Sequence, residues 1–133
     1  MENKPGNVRK ACRTLADAGI NIETISLADT EEFGILRLLV KDWERAKDVL
    51  EQHGLVARVA DVVAVAIDHR AGGLADVLDV LDKMGLNIEY MYGFARPTGN
   101  AVIVFRFGEP DAAVEQIQEK GVHVVSRKEL FGE

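Results

Sequence analysis

Apolar residues in the second half of the chain follow a pattern that predicts alternating strands and helices. Residues 62–67 form a continuous apolar run, which is typical of a buried strand. A helical stripe comes next, with apolar side chains at three- and four-residue spacing: Leu74, Val77, Leu78 and Leu81. Further strands are predicted over 87–94, 101–107 and 122–125, with a helix that begins at Pro110 and stops at Gly121. The predicted order is β-α-β-β-α-β.

The first half follows the same order except at its beginning. Its predicted elements are a helix over 8–18, strands over 21–28 and 33–40, a helix between the N-cap Asp42 and Gly54, and a last strand over 55–59. No residues match the apolar run that opens the second half, so the first strand of this unit is missing from the sequence. Either the sequence begins late within the unit, which we favour, or another segment or chain occupies that position.

The two halves are copies of one unit. Residues 19–23 (GINIE) return 66 positions later as residues 85–89 (GLNIE), and Gly6 matches Gly72 at the same spacing. The shared order is that of the ferredoxin-like plait, an α+β fold in which two helices cover one face of a four-stranded sheet. No linker rich in Pro, Gly or Ser separates the copies, so we expect two tandem plaits that pack together. The expected domains are residues 1–60 and 61–133.

Charge and cysteine content restrict the class of partner and the compartment. Sixteen Lys and Arg against 22 Asp and Glu give a net charge of −6, which argues against nucleic acid as the main partner. The single cysteine excludes a disulfide within the chain and fits a reducing compartment. No apolar run approaches the roughly 18 residues that span a bilayer, and the N-terminus has no apolar signal segment. We therefore expect a cytoplasmic protein with no membrane partner.

The motif that precedes each first helix resembles that of the ACT domain, a small ligand-binding module of amino-acid metabolism. Residues 3–8 (NKPGNV) precede a helix and then 19–23, and residues 69–74 (HRAGGL) precede a helix and then 85–89. The chain is similar over almost its whole length to stand-alone proteins built from two ACT domains. The resemblance implies a regulatory protein that binds an amino acid or similar small metabolite between paired domains.

The resemblance also implies which residues contact the ligand, namely the turn after the first strand and the start of the second strand. The family's turn asparagine falls on Asn3 and its strand asparagine on Asn21 and Asn87, whereas His69 takes the turn position in the second copy. The candidate ligand-binding residues are Asn3, Pro5, Gly6, Asn7, Val8, Asn21, Ile22, His69, Gly72, Gly73, Leu74, Asn87 and Ile88. Apolar residues among them hint at a branched or aromatic ligand side chain.

Elementary physical chemistry supports such a site. Glycines at the turns allow positive φ and close approach of the backbone, and the helix N-terminus that follows suits a carboxylate. In a plait, the turn and the start of the second strand lie at opposite ends, so pseudo-twofold pairing is expected to bring Asn3 to Asn87 and His69 to Asn21. The alternative is that the glycines only form tight turns and the asparagines satisfy local backbone groups.

The aromatic side chains of the predicted strand 87–94 alternate with period two. Tyr90, Tyr92 and Phe94 therefore share one face, either as a lid over a ligand or as a packing surface between units or subunits. Met91 and Ile25 point to the opposite face, and we expect both in the core.

Nothing in the pattern indicates catalysis, a cofactor or a metal. The three histidines lie on different predicted elements without metal-ligand spacing, and no pair of carboxylates stands out for acid–base chemistry. An RNA-recognition plait would need a basic, aromatic third strand, which residues 33–38 and 101–106 lack. An acylphosphatase-like enzyme would need a phosphate-cradling turn, which Arg70 beside Gly72 only faintly resembles.

We therefore expect a non-enzymatic regulatory protein that forms a homodimer and acts on a separate metabolic enzyme. The alternative is a structural or regulatory subunit of a larger enzyme complex that has no ligand of its own.

Overall fold

The computed structural model describes residues 6–29, 34–68, 70–96 and 99–131. The chain divides into two compact units, unit 1 at Met1–Val59 and unit 2 at Ala60–Glu133. Each unit has its own antiparallel sheet and its own helices.

Unit 1 contains two helices and a two-stranded sheet. Its elements are α1 (Asn7–Asp17), β1 (Thr24–Asp29), β2 (Gly34–Leu39) and α2 (Trp43–Gln52). β1 and β2 pair in register from Thr24 opposite Leu39 to Asp29 opposite Gly34. A small core forms where Leu15 of α1 and Ala46 of α2 pack with Ile20.

Unit 2 contains a four-stranded sheet with the strand order β4-β5-β3-β6. Its elements are β3 (Val63–Asp68), α3 (Gly73–Lys83), β4 (Ile88–Ala95), β5 (Asn100–Phe107), α4 (Pro110–Glu119), β6 (Val124–Val125) and α5 (Arg127–Phe131). On one face, Phe105 and Phe107 of β5 are fully buried against Leu81 of α3 and Ile117 of α4. The predicted α+β plait is confirmed.

Four helices end in the same way, with a left-handed glycine followed by an apolar residue. In α1, Gly19 has φ 73°, and the N–H of Ile20 donates to the Leu15 carbonyl at 2.9 Å. Equivalent bonds close the other three: Leu55 to Leu50, Leu86 to Leu81 and Val122 to Ile117. This arrangement satisfies carbonyls that a helix end otherwise leaves unpaired. It also places an apolar residue directly after the glycine at each of these four helix ends.

The predicted last strand of unit 1, over 55–59, is wrong, because residues 55–62 contain no strand. In unit 2 the equivalent strand β6 pairs with β3 alone, through Val125 opposite Ala64. The described part of unit 1 contains no strand that corresponds to β3. Residues 55–59 therefore have no ladder partner there, and an extended segment is not assembled into a sheet without one.

The expectation that Met91 and Ile25 lie in the core is also wrong, since they are 36% and 51% exposed. Each lies on an edge strand, where a side chain has a neighbouring strand on one side only. The aromatic face of β4 does exist: Tyr92 and Phe94 pack against the buried Val102 on the face opposite α3 and α4. Within unit 2 this face is a packing surface.

Candidate ligand-binding site

The turn between β3 and α3, residues 68–73, is built around two adjacent glycines. Gly72 has φ 85° and ψ −11°, a left-handed conformation that costs other residues about 1–2 kcal/mol. Gly73 lies so close to β3 that an added Cβ would clash with the Asp68 carbonyl oxygen. Its N–H donates to the Arg70 carbonyl oxygen at 3.1 Å. The turn thus holds its main chain against the end of β3 and needs glycine at both positions.

Unit 1 repeats this turn geometry. Gly6 precedes α1 with φ 89° and ψ −11°. The N–H of Lys10 donates to the Gly6 carbonyl at 2.9 Å, and the N–H of Asp76 donates to the Gly72 carbonyl at 2.9 Å. The N-cap residue of each helix is glycine and has no side chain with which to cap the first turn. Both helices therefore present the positive end of the dipole and its N–H groups beside a glycine, an arrangement suited to an anionic group.

Arg70 ties the 68–73 turn to both the strand and the helix beside it. Its Nη2 donates to Asp76 Oδ2 at 3.0 Å, and its Nε lies 3.6 Å from Asp68 Oδ2. The hydrogen bond with Asp76 is the main cause that raises the pKa of Arg70 above its usual value. These groups are well exposed, so the pairs orient the guanidinium more than they stabilise the fold.

A cleft of about 460 Å³, here called the unit 2 cleft, opens beside this turn. That volume falls in the range of small-molecule sites, roughly 300–1,000 Å³. Its polar lining consists of Asp68, Arg70, Asp76, Arg96, Asn100, His123 and Glu129, and its apolar lining includes Ala66, Ile67, Val77 and Val122. Two arginines stand against three carboxylates, so the charges of the cleft nearly balance.

The short helix α5 forms one wall of the unit 2 cleft and is fixed there by Glu129. The Glu129 N–H donates to Ser126 Oγ at 3.1 Å, and the Ser126 N–H points back to Glu129 Oε1 at 3.5 Å. His123 Nε2 lies 2.9 Å from Glu129 Oε2, and Arg96 Nη2 donates to the Glu129 carbonyl oxygen at 3.3 Å. The hydrogen bond from His123 and that from the Ser126 backbone lower the pKa of Glu129 below its usual value.

The structure groups the described candidate residues by element. Gly6, Asn7 and Val8 lie together at the start of α1, and Gly72, Gly73 and Leu74 lie together at the start of α3. Asn21 and Ile22 precede β1, where Asn21 Nδ2 donates to Glu23 Oε1 at 3.2 Å; Asn87 precedes β4, which begins at Ile88. Asn3, Pro5 and His69 lie outside the described residues.

The start of β4 and the 68–73 turn lie at opposite ends of the unit 2 sheet. Asp68 pairs with Asn100 at the beginning of β5, whereas Ile88 pairs with Phe107 at its end. Seven residues of extended strand span about 23 Å. Unit 2 by itself therefore does not bring Asn87 to Gly72. This separation is the one that the plait topology predicts.

Sequence reasoning missed the side chains that the far wall of the cleft contributes. Arg96, Asn100 and Glu129 were not proposed for any site, and α5 was not predicted. One pattern could have revealed α5, since residues 126–129 (SRKE) have the serine and glutamate spacing of a capping box. Asn100 lies opposite Asp68 and next to Arg96, whose N–H donates to the Asn100 carbonyl at 2.9 Å. This grouping depends on strand register, which the sequence does not specify.

Two further properties concern the described ranges only. None of their helices has the length and apolar character that a bilayer crossing demands. Nowhere in those ranges do three or more His, Cys, Asp or Glu side chains converge as metal ligands would.

The fold and the repeated glycine turns define a tandem of two small α+β modules. The family model described as "ACT domain pair" matches residues 1–132, and the chain belongs to this family. The resemblance inferred from the sequence is thereby confirmed. No curated protein matches the chain.

Solved structures agree with this assignment. The crystal structure of protein BT0572 from Bacteroides thetaiotaomicron is 34% identical, with a TM-score of 0.91 over 98% of this chain and 90% of that one. The ligand-free regulatory subunit of aspartate kinase from Thermus thermophilus is 20% identical, with a TM-score of 0.65 over 90% of this chain and 86% of that one. The corresponding subunit from Thermus flavus is 18% identical, with a TM-score of 0.63 over 90% and 83%. The last two are similar in fold alone.

Proposed function

We propose that this protein senses a small metabolite of the amino-acid class and uses its binding to regulate a separate enzyme. The observation that carries the proposal is the repetition of one turn geometry in both units. Gly6 and Gly72 have φ values of 89° and 85° with the same ψ of −11°, each at the start of a helix. A conformation that disfavours side chains persists in two diverged copies, and a ligand that approaches the main chain there would account for it.

The proposed ligand contacts the glycine turn of one ACT domain and the strand start of another. The carboxylate of an amino acid suits the N–H groups at the start of α1 or α3. Asn21 and Asn87 are the proposed strand contacts. In unit 2, Asn87 precedes β4, whose opposite end lies near the 68–73 turn, and Asn21 holds the matching position in the sequence repeat. A ligand that needs both therefore needs paired domains.

Regulation of a partner enzyme is supported by the family and by one structural neighbour, the regulatory subunit of aspartate kinase from Thermus thermophilus. A binding module shifts a partner's equilibrium only if the ligand binds one state better than the other. We propose that the chain acts in this way as a homodimer in the cytoplasm, a reducing compartment that its single cysteine suits. It would contribute no catalytic residue itself.

A thermal-shift screen of the twenty amino acids at millimolar concentration tests the proposal. A ligand at a hundred times its Kd should raise apparent stability by about 2.7 kcal/mol. Gly6→Ala should weaken the shift caused by the active amino acid. Gly54→Ala is the matched control, because both glycines have positive φ and neither added Cβ would meet an atom within 4 Å. Both variants should lose similar stability, and only Gly6→Ala should lose binding.

The opposite result has a definite meaning. If no amino acid shifts the transition, or if Gly54→Ala impairs binding as much as Gly6→Ala does, the sensing proposal is wrong. A structural subunit of a larger complex, without a ligand of its own, is then the better account.

A further inference from the structure

Helices α1 and α3 are equivalent elements of the two units, yet their exposed charges have opposite signs. The exposed basic residues of α1, here called the basic stripe, are Arg9, Lys10 and Arg13. The exposed acidic residues of α3, here called the acidic stripe, are Asp76, Asp79 and Asp82. Residues three or four apart are neighbours on a helix surface, so each stripe concentrates one sign of charge along one side of its helix.

The reversal of sign follows the sequence repeat position by position. The residues that match at the spacing of 66 are Lys10 and Asp76, Arg13 and Asp79, and Asp17 and Lys83. Each of these pairs joins unlike charges. One chain therefore carries two similar helical surfaces that are complementary in charge.

The charges of α1 do not serve the stability of that helix. Arg9 and Lys10 lie near its N-terminus, where the helix dipole is positive, and Asp17 is its last residue, where the dipole is negative. Like charges four apart, such as Arg9 and Arg13, also destabilise a helix. Within the described ranges, no ion pair engages any side chain of the basic stripe. An acidic partner would offset these unfavourable terms.

An exposed apolar strip lies on the helix-covered face of the edge strand in each unit. In β1, Ile25 and Leu27 are both 51% exposed, and they share a face with Leu38, which packs on the unit 1 core. In β4, Met91 is 36% exposed and lies opposite Phe105 of the unit 2 core. Each unit therefore offers apolar surface on the same face as its charged helix, and interfaces commonly combine an apolar centre with a polar rim.

We propose that two copies of this chain associate through the basic stripe of one copy and the acidic stripe of the other. A symmetric dimer contains this contact twice, because each copy supplies both helices. Contact of α1 with α1, or of α3 with α3, would bring like charges together and is disfavoured. Exposed ion pairs contribute little affinity, so the charges select which helices meet and the apolar strips supply most of the affinity. The inference rests on the proposed function, since it names the contact surface of the homodimer proposed there.

Charge reversal tests this interface in the full chain, with the dimer Kd measured by sedimentation equilibrium. One variant, Lys10→Asp with Arg13→Asp, makes the basic stripe acidic, and the other, Asp79→Lys with Asp82→Lys, makes the acidic stripe basic. Asp76 is left unchanged because it pairs with Arg70. In about 50 mM NaCl, where screening is weak, each variant should dimerise at least about tenfold more weakly than the wild type. Raising the salt to about 500 mM should weaken the wild-type dimer and narrow the difference.

The decisive measurement is an equimolar mixture of the two variants. In a mixed dimer the acidic α1 of one variant meets the basic α3 of the other, and the acidic α3 of the first meets the basic α1 of the second. Both contacts again join unlike charges, so the mixture should associate about as tightly as the wild type although neither variant does so alone. A stripe that acts only within its own chain gives no such recovery.

Glu115→Lys with Glu119→Lys is the matched control, because these exposed residues of α4 give the same change in net charge outside both stripes. This variant should dimerise like the wild type. Far-UV circular dichroism must show that each variant keeps the wild-type fold. If the two stripe variants dimerise as tightly as the wild type, or if their mixture stays as weak as either alone, the inference is wrong.

Failure of this inference is distinguishable from failure of the sensing function. If the wild type is a monomer but an amino acid shifts its thermal transition, the dimer interface is wrong and metabolite sensing stands. If the mixed dimer forms but none of the twenty amino acids binds, the interface stands and the sensing function is wrong.

Discussion

Gly72 and Gly73 are neighbours in one turn, but they resist substitution for different reasons. Gly72→Ala places a side chain at φ 85° in nearly open space and should cost about 1–2 kcal/mol. Gly73→Ala drives a Cβ into the Asp68 carbonyl oxygen, and because that atom is main chain, β3 or α3 must shift. We expect Gly73→Ala to be the more destabilising, by up to about 3 kcal/mol, in urea unfolding. Gly54→Ala is the control and should resemble Gly72→Ala; if Gly73→Ala is equally mild, the close approach is not rigid.

At the residue scale, the sequence predicted main-chain features better than side-chain partners. The glycines were identified because positive φ and close packing leave them few substitutes, and the repeat placed both turns. Arg96 and Asn100 were missed because each looks like an ordinary residue of a hairpin. Only the register that sets Asp68 opposite Asn100 makes them a group.

At the element scale, α5 depends on one ionised carboxylate. The fold lowers the pKa of Glu129, chiefly through the hydrogen bond from His123, so it stabilises the charged form. This contribution is complete above the usual pKa of 4.5 and is lost as the pH falls through the lower value of the folded protein. At neutral pH, the amides of residues 127–131 should exchange more slowly in the wild type than in Glu129→Gln. The ratio of the two exchange rates, measured at each pH, should approach one as the pH falls below that range.

A control separates this effect from general acid denaturation. Glu119→Gln, on the exposed side of α4, should leave the ratio for α5 unchanged across the same pH range. If wild type and Glu129→Gln exchange alike at neutral pH, the carboxylate does not fix α5.

Elements with a complete set of neighbours were the ones that the sequence predicted well. The central strands β3 and β5 were placed to within one residue at each end, because both have neighbours on two sides and most of their apolar residues are buried. The wrong strand over 55–59 also has an apolar pattern, with Leu55, Val56 and Val59. A pattern of apolar residues indicates that a segment can join a sheet, but a strand forms only where a partner strand is present.

At the scale of the whole molecule, the two units bury very different amounts of apolar structure. Among the described residues, four buried apolar side chains belong to unit 1 and thirteen to unit 2. The sheet of unit 1 has two strands, and isolated two-stranded sheets are marginally stable. The units therefore differ in their expected resistance to unfolding.

The chain provides a separate optical probe for each unit, which makes this difference measurable. Its one tryptophan, Trp43, lies in unit 1, and both tyrosines, Tyr90 and Tyr92, lie in unit 2. In the wild type, Trp43 fluorescence reports the unfolding of unit 1. In Trp43→Phe, which has no tryptophan, tyrosine fluorescence reports the unfolding of unit 2. We expect the Trp43 transition at a lower urea concentration than the tyrosine transition. The far-UV circular dichroism of Trp43→Phe must keep the wild-type midpoint for the comparison to hold. Coincident transitions would show that the units unfold together, and the smaller core of unit 1 would then owe its stability to something beyond its own buried residues.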